Sequence, residues 1–143
     1  MGKRRRAREL ALSLLYQLEF HPHDAEEAMK VFWKDHPASP EIKAFAEDLV
    51  RGTLEQREVI DQLIASYAQH WRLSRMAVID RNILRMALYE LLWNEETPEK
   101  VIINEAIELA KTYGAEESGR FVNGMLDQIK PLRGKVLPTS TGP

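Results

Sequence analysis

Apolar positions recur along most of this chain at three- and four-residue steps, the spacing that lines up one face of an α-helix. Between about Arg6 and Phe20, the residues Leu10, Ala11, Leu14, Leu15 and Leu18 form one stripe on a first helix. His21-Pro22-His23 stops it, because proline cannot continue a helix. Asp24 stands where a cap is needed for a short second helix carrying Ala25, Ala28, Met29, Phe32 and Trp33, which Pro37 ends. Ser39-Pro40-Glu41 signals a new start: the serine oxygen can accept an orphan amide, and proline has no amide to lose. The third segment runs through Ile42, Phe45, Ala46 and Leu49, then resumes with Ile60, Leu63, Ile64 and Tyr67. Gly52 is the point where it bends or breaks, and periodicity does not choose between one helix and two.

A turn or short helix is expected around Trp71 to Ala77. From Val78 to Trp93 the apolar residues Ile79, Ile83, Leu84, Met86, Ala87, Leu88, Leu91 and Leu92 nearly encircle the helix, which therefore belongs at the centre. Thr97-Pro98 opens the next helix, in which Ile102, Ala106, Leu109, Ala110 and Tyr113 share a face before Gly114 stops it. The last helix carries Phe121, Val122, Met125, Leu126 and Ile129 and ends at Pro131. Gly119 and Gly124 fall inside it, where each costs about 0.8 to 1 kcal/mol relative to alanine. A closely approaching neighbour would explain them; contact between helices is the favoured reading at Gly124, and Gly119 is left open between that and backbone access for a ligand. No β-branched run alternates with polar residues for the length of a strand, and no repeat recurs at a fixed period. The expected architecture is all-α, a bundle of six to seven helices, with residues 1–130 as one domain and 131–143 as a flexible tail.

The 143 residues, 44% of them apolar and 29% charged, suit one compact domain stabilised by apolar burial. The absence of cysteine excludes disulfides, thiolate metal sites and thiol nucleophiles. No apolar run approaches the roughly 18 to 20 residues of a membrane helix, and the opening stretch lacks the apolar core of a secretory signal. A cytoplasmic protein without membrane contact is expected. The net charge of −2 conceals two opposite regions. Residues 1–8 hold Lys3, Arg4, Arg5, Arg6 and Arg8 without an acid, and residues 130–143 add Lys130, Arg133 and Lys135, again without one. Setting these eight cations aside leaves twelve basic against twenty-two acidic residues in between, a net of −10. A cationic end can meet a polyanion, and an acidic body can meet a basic partner.

The start of a helix is already electropositive, so stability alone would not place five cations there. Cations beside free helix-start amides suit a phosphate backbone, although a solvated arm that aids solubility fits the cluster equally well. Recognition of single-stranded RNA also needs flat side chains for base stacking, for which Tyr67, Tyr113 and Phe121 are candidates; all three also fit apolar stripes. His21-Pro22-His23 implies no third metal ligand and reads as a surface turn. Glu105 and Glu108, with Lys111 beyond, suit a solvated helix face with ordinary charge pairs better than acid–base catalysis. There is no phosphate-cradling glycine loop, nucleophile elbow or zinc-protease motif. No catalytic residue, metal or cofactor is called for.

Four stretches then resemble one family. They are Arg4-Arg5-Arg6-Ala7-Arg8-Glu9-Leu10-Ala11 continuing to Tyr16, Ile83-Leu84-Arg85-Met86-Ala87-Leu88-Tyr89-Glu90-Leu91, Ile103-Asn104-Glu105-Ala106-Ile107-Glu108-Leu109-Ala110-Lys111, and Tyr113-Gly114-Ala115-Glu116-Glu117-Ser118-Gly119-Arg120-Phe121-Val122-Asn123-Gly124. In order and spacing they resemble the NusB family of transcription antitermination factors. The match is stronger in the second half than between residues 21 and 77.

The resemblance implies two packed helical subdomains and a non-catalytic protein that binds boxA-containing single-stranded RNA. It further implies action with the small-subunit ribosomal protein NusE, other Nus factors and RNA polymerase, to keep transcription of ribosomal RNA operons processive. The RNA-binding positions it carries over are Arg4, Arg5, Arg6, Arg8, Tyr67, Tyr113, Glu117, Arg120 and Phe121. Among these, Glu117 is a carboxylate facing phosphates, which lowers affinity unless it accepts hydrogen bonds from base edges. Tyr16 and Asp80 match positions that meet NusE, although Tyr16 could simply pack and Asp80 could complement the positive end of its own helix. Two other readings stand beside this one. One is an RNA-targeting module like the NusB-type domain of some ribosomal RNA methyltransferases; the other is a helical protein-interaction module without direct RNA binding. A homodimer is left open, because an apolar helical face can close on a second copy.

Overall fold

The computed structural model describes residues 2–20, 24–68 and 75–135. His21-Pro22-His23, most of the expected turn from Trp71 to Ala77, and everything after Lys135 lie outside the described residues. Within them the regular structure is seven α-helices and a short 3-10 turn, with no strand. None of these helices is long and apolar enough to cross a membrane. The chain divides into two compact units, Met1–Gly52 and Thr53–Pro143.

The first unit is built from α1 (Lys3–Phe20), α2 (Ala25–Asp35) and most of α3 (Pro40–Glu55). α1 starts at Lys3, three residues before the expected Arg6, so all five cations are helical. Its buried members are Ala7, Arg8, Leu10, Ala11, Leu12, Leu14, Leu15 and Leu18. Asp24 caps α2 as expected, its Oδ1 accepting from the Glu26 amide at 3.0 Å. Ser39 Oγ likewise accepts from the Ile42 amide at 3.3 Å, at the start of α3. Side-chain hydrogen bonds join α2 to α3. Trp33 Nε1 donates to Glu47 at 2.8 Å, and Arg51 donates through Nε and Nη2 to both carboxylate oxygens of Glu26 at 2.7 Å.

The second unit holds α4 (Arg57–Tyr67), α5 (Val78–Trp93), α6 (Glu99–Tyr113), α7 (Ser118–Ile129) and a 3-10 turn at Lys130–Leu132. The third segment of the sequence is therefore two helices, and the break falls at Gln56, not at Gly52. Gly52 is buried inside α3, whereas Gln56 leaves the helical conformation (φ −99°, ψ 9°) and its carbonyl accepts the Ile60 amide that opens α4. α5 has the predicted bounds and is buried nearly all round, packing on α4, α6 and α7. Its apolar residues Ile83, Leu84, Leu88 and Leu91 are fully shielded, each contributing roughly 1.5–3 kcal/mol of burial. Arg85 is buried in the same helix because Asp61 on α4 accepts its Nε and Nη2 at 2.8 and 2.9 Å. After α7, Arg133 Nη2 donates to the carbonyls of Asn94 and Thr97, tying residues 130–135 to the α5–α6 connection.

Of the glycines in the closing motif, Gly114 ends α6 as expected, Gly119 is settled as a helix contact, and Gly124 departs from its expected role. Gly114 has an ordinary backbone (φ −94°), but a Cβ there would come within 2.5 Å of Ser118 Oγ and 2.8 Å of the Ala110 carbonyl. Close approach, not backbone freedom, demands glycine at that corner. Gly119 is buried against α6, where a Cβ would meet Lys111 Cγ at 3.3 Å and Ile107 Cγ2 at 3.8 Å. Gly124 has nothing within 4 Å and is exposed, so the helix contact favoured there from sequence is found at Gly119 instead. Helical phase explains the exchange: positions 118, 119, 122, 125, 126 and 129 form the buried face of α7, and position 124 lies on the other side.

Candidate nucleic-acid interface

In the first unit, helical periodicity sorts the cations of α1 by their surroundings. Arg8 is only 4% exposed and falls on the buried stripe, with its guanidinium 5.3 Å from the ring centre of Phe45 on α3. Arg4, one turn earlier on the same face, is exposed and lies 4.1 Å over that ring. Lys3 meets Glu41, one turn before Phe45 on α3, at 2.9 Å. Arg6 is exposed, with a 3.4 Å contact to Glu9 one turn along, and Arg5 is half-buried. Exposed pairs of this kind are worth about 0–1 kcal/mol, so a phosphate can exchange with the carboxylate. The first turn thus presents Arg4, Arg5 and Arg6, with Lys3 beside them, while Arg8 is placed beneath the surface.

Farther along α1, Tyr16 is 43% exposed and packs edge-on against Phe20, itself 55% exposed, with ring centres 5.1 Å apart. Tyr16 is thus a surface residue and not a core one. Phe20 escaped the sequence reading, although its place four residues after Tyr16 was signal enough for a shared ring surface.

In the second unit, the closing motif builds a corner. The Ala115 amide donates to Ser118 Oγ at 2.9 Å, and the Ser118 amide donates back to the Ala115 carbonyl at 3.0 Å. This reciprocal pair buries Ser118 and starts α7, which turns Glu117 and Arg120 outward with 3.8 Å between their charged groups. Arg120 is thereby a partial counterion for the carboxylate expected to repel phosphate. Tyr113, at the end of α6, is 47% exposed, whereas Tyr67 and Phe121 are half-buried.

Beside this corner lies a pocket of about 220 Å³, walled by Met76, Ala77, Ala115, Ser118 and the Phe121 ring, with Arg75, Asp80 and Glu117 as its charged members. Asp80 sits in the first turn of α5, where the helix dipole favours a carboxylate. Its Oδ1 is buried without a hydrogen-bond partner. Asp80, expected at a protein interface, thus shares one cavity with Glu117 and Phe121, expected at an RNA surface. Arg75 and Met76 were missed from sequence, since only tertiary packing carries them to this corner. Among the described residues no group of three or more His, Asp or Glu side chains could hold a metal ion.

Comparison with known proteins gives a consistent result. Residues 5–131 match the model of the NusB family. The chain is 48% identical over 129 residues to the transcription antitermination protein NusB of Anaeromyxobacter dehalogenans, covering 90% of each chain. Among solved structures, T. maritima NusB superposes with a TM-score of 0.84 at 43% identity, covering 91% of this chain and 92% of that one. A crystal structure of the antitermination factors NusB and NusE in complex with dsRNA also superposes, with a TM-score of 0.81 at 26% identity and coverage of 92% and 98%.

Proposed function

Because the chain belongs to the NusB family, we propose that it is an antitermination factor that binds boxA-containing single-stranded RNA together with ribosomal protein NusE, and so supports processive transcription of ribosomal RNA operons. It is not an enzyme. The observation that carries the RNA reading is the first turn of α1, where exposed Arg4 and Arg6 and half-buried Arg5 gather at the positive end of a helix. The complex of a relative with NusE and dsRNA supports RNA and NusE as the partner classes.

Within this reading the two units divide the work. Arginines of α1 hold phosphates and give affinity without sequence preference. Tyr113, Arg120 and Phe121, with Tyr67 at the end of α4, supply ring faces and polar edges for bases, and Glu117 limits affinity for the backbone. Tyr16 and Asp80 serve the protein partner, for which an acidic body is electrostatically suited. Other Nus factors and RNA polymerase complete the assembly, and its place of action is the cytoplasm.

An RNA titration over a range of salt concentrations tests the proposal. Arg5→Ala should weaken binding to boxA and scrambled strands alike and lower the salt slope by about 1. Phe121→Ala should instead narrow the preference for boxA, at about 1–3 kcal/mol for a lost stacking contact. If neither substitution changes RNA binding while NusE is still retained, the chain is a protein-interaction module and the RNA reading fails.

A further inference from the structure

The cationic turn of α1 is helical although its charges oppose the helix dipole and its first turn contains no acid, so something outside the helix must hold it. α3 supplies that support from two residues one turn apart. Glu41 takes Lys3, and Phe45 takes the guanidinium of Arg4 at 4.1 Å, with Arg8 at 5.3 Å from the same ring. The two kinds of support differ in what they leave available. A carboxylate occupies the donors of its cation, and an arriving phosphate must displace it. A guanidinium is planar, with five N–H donors in its plane, so a ring against its face leaves the whole donor edge open. Arg4 remains exposed with its guanidinium carbon over the Phe45 ring. Arg8 is buried, and with Arg4 one turn away on the same face the ring lies along the root of the cluster.

We propose that Phe45 is a positioning residue for RNA binding: its ring stacks on Arg4 and fixes that guanidinium with its N–H edge turned to a backbone phosphate, without itself touching RNA. This rests on reading α1 as the phosphate-binding surface, and it adds a residue of α3 that neither periodicity nor the family resemblance had assigned a role. In sequence Phe45 is one member of an apolar stripe.

The test is a titration of a boxA-containing oligonucleotide with the full chain and its Phe45→Leu, Phe45→Tyr, Arg4→Ala and Arg4→Ala/Phe45→Leu variants. Leucine keeps the apolar volume but removes the aromatic face, while tyrosine keeps the face; circular dichroism melts confirm that each variant is folded. Phe45→Leu should weaken binding by about three- to tenfold and Phe45→Tyr by less than about twofold. On the Arg4→Ala background, Phe45→Leu should change affinity by less than about twofold, because the stacked group is already gone. The inference is overturned if Phe45→Leu binds as wild type, or if it loses the same factor on both backgrounds, as a purely structural role would require. Failure of the underlying reading looks different: Arg4→Ala and Arg5→Ala would then both leave RNA affinity unchanged.

Discussion

In the first unit, Lys3 and Glu41 meet with side chains 63% and 62% exposed, and Arg51 and Glu26 meet with 45% and 56% exposed. In the second, Arg85 is 6% exposed and is gripped by Asp61 from below α5. The same ion-pair chemistry serves opposite ends. A surface pair contributes little to stability, because water solvates both partners almost as well. Its cations can therefore be surrendered to another anion without endangering the fold. A buried guanidinium has no such freedom, since removing its partner strands a charge away from water. The Lys3–Glu41 and Arg51–Glu26 pairs thus carry charge in exchangeable form, and the Arg85–Asp61 pair carries it as a structural part.

Substitution at the two arginines tests this contrast with the largest effect. Arg85→Ala should destabilise the chain by about 3–5 kcal/mol in urea unfolding, because Asp61 is left without its bidentate donor. Arg51→Ala should cost only about 0–1 kcal/mol although its contacts to Glu26 are equally short. Similar losses at both sites would break the comparison, showing that distance and not solvent exposure sets the strength of these pairs.

The glycines of the second unit sharpen the picture at a smaller scale. Gly114→Ala forces a methyl into Ser118 and the Ala110 carbonyl and should cost about 1–3 kcal/mol, with the corner that presents Glu117 and Phe121 displaced. Gly124→Ala meets open space on an exposed helical position and should stabilise by about 0.4–1 kcal/mol in thermal unfolding. A loss of RNA affinity in Gly124→Ala at undiminished stability would show that the exposed backbone there is itself part of the surface.

What the sequence disclosed follows from which interactions are local. The bounds of α5, the Asp24 cap and the Ser39-Pro40 start were legible because periodicity and caps involve residues a few positions apart. The break at Gln56 was misplaced to Gly52 because a non-helical φ and ψ at glutamine leave no compositional mark. At the candidate site, the identity of the α1 cations was plain, but their sorting was not. Arg8 is buried and Arg4 lies over a ring because Phe45 of α3 meets that face, and Phe45 is thirty-seven residues beyond Arg8 in the chain. The pocket that joins Asp80 to Phe121 is equally a product of tertiary packing. The exposed place of Gly124 was within reach, since the apolar phase of α7 already places 119, and not 124, with Val122 and Leu126.

The smallest effect should come from pH, and its sign differs between Glu26 and Glu41 on one side and Lys130 on the other. Hydrogen bonds from Arg51 hold Glu26 below the ordinary glutamate range, and the hydrogen bond from Lys3 does the same for Glu41. A depressed carboxylate contributes stability above its unfolded pKa, about 4.3, and loses it as pH falls through the folded value. In the second unit the hydrogen bond to Asp127, 2.9 Å away, raises the pKa of Lys130. That contribution is present below the unfolded lysine value, about 10.4, and disappears as pH rises through the folded one. Acid should therefore release the α2–α3 and α1–α3 pairs first, and alkali the end of α7. Side-chain NMR titration checks this: Glu26 and Glu41 should titrate below free glutamate, with the displacement shrinking as salt is added. Phosphate added at neutral pH should reduce the displacement at Glu41, whose partner belongs to the cationic cluster, more than at Glu26, whose partner does not. Equal responses at both glutamates would mean that the first unit holds no cation readier than the others to be surrendered.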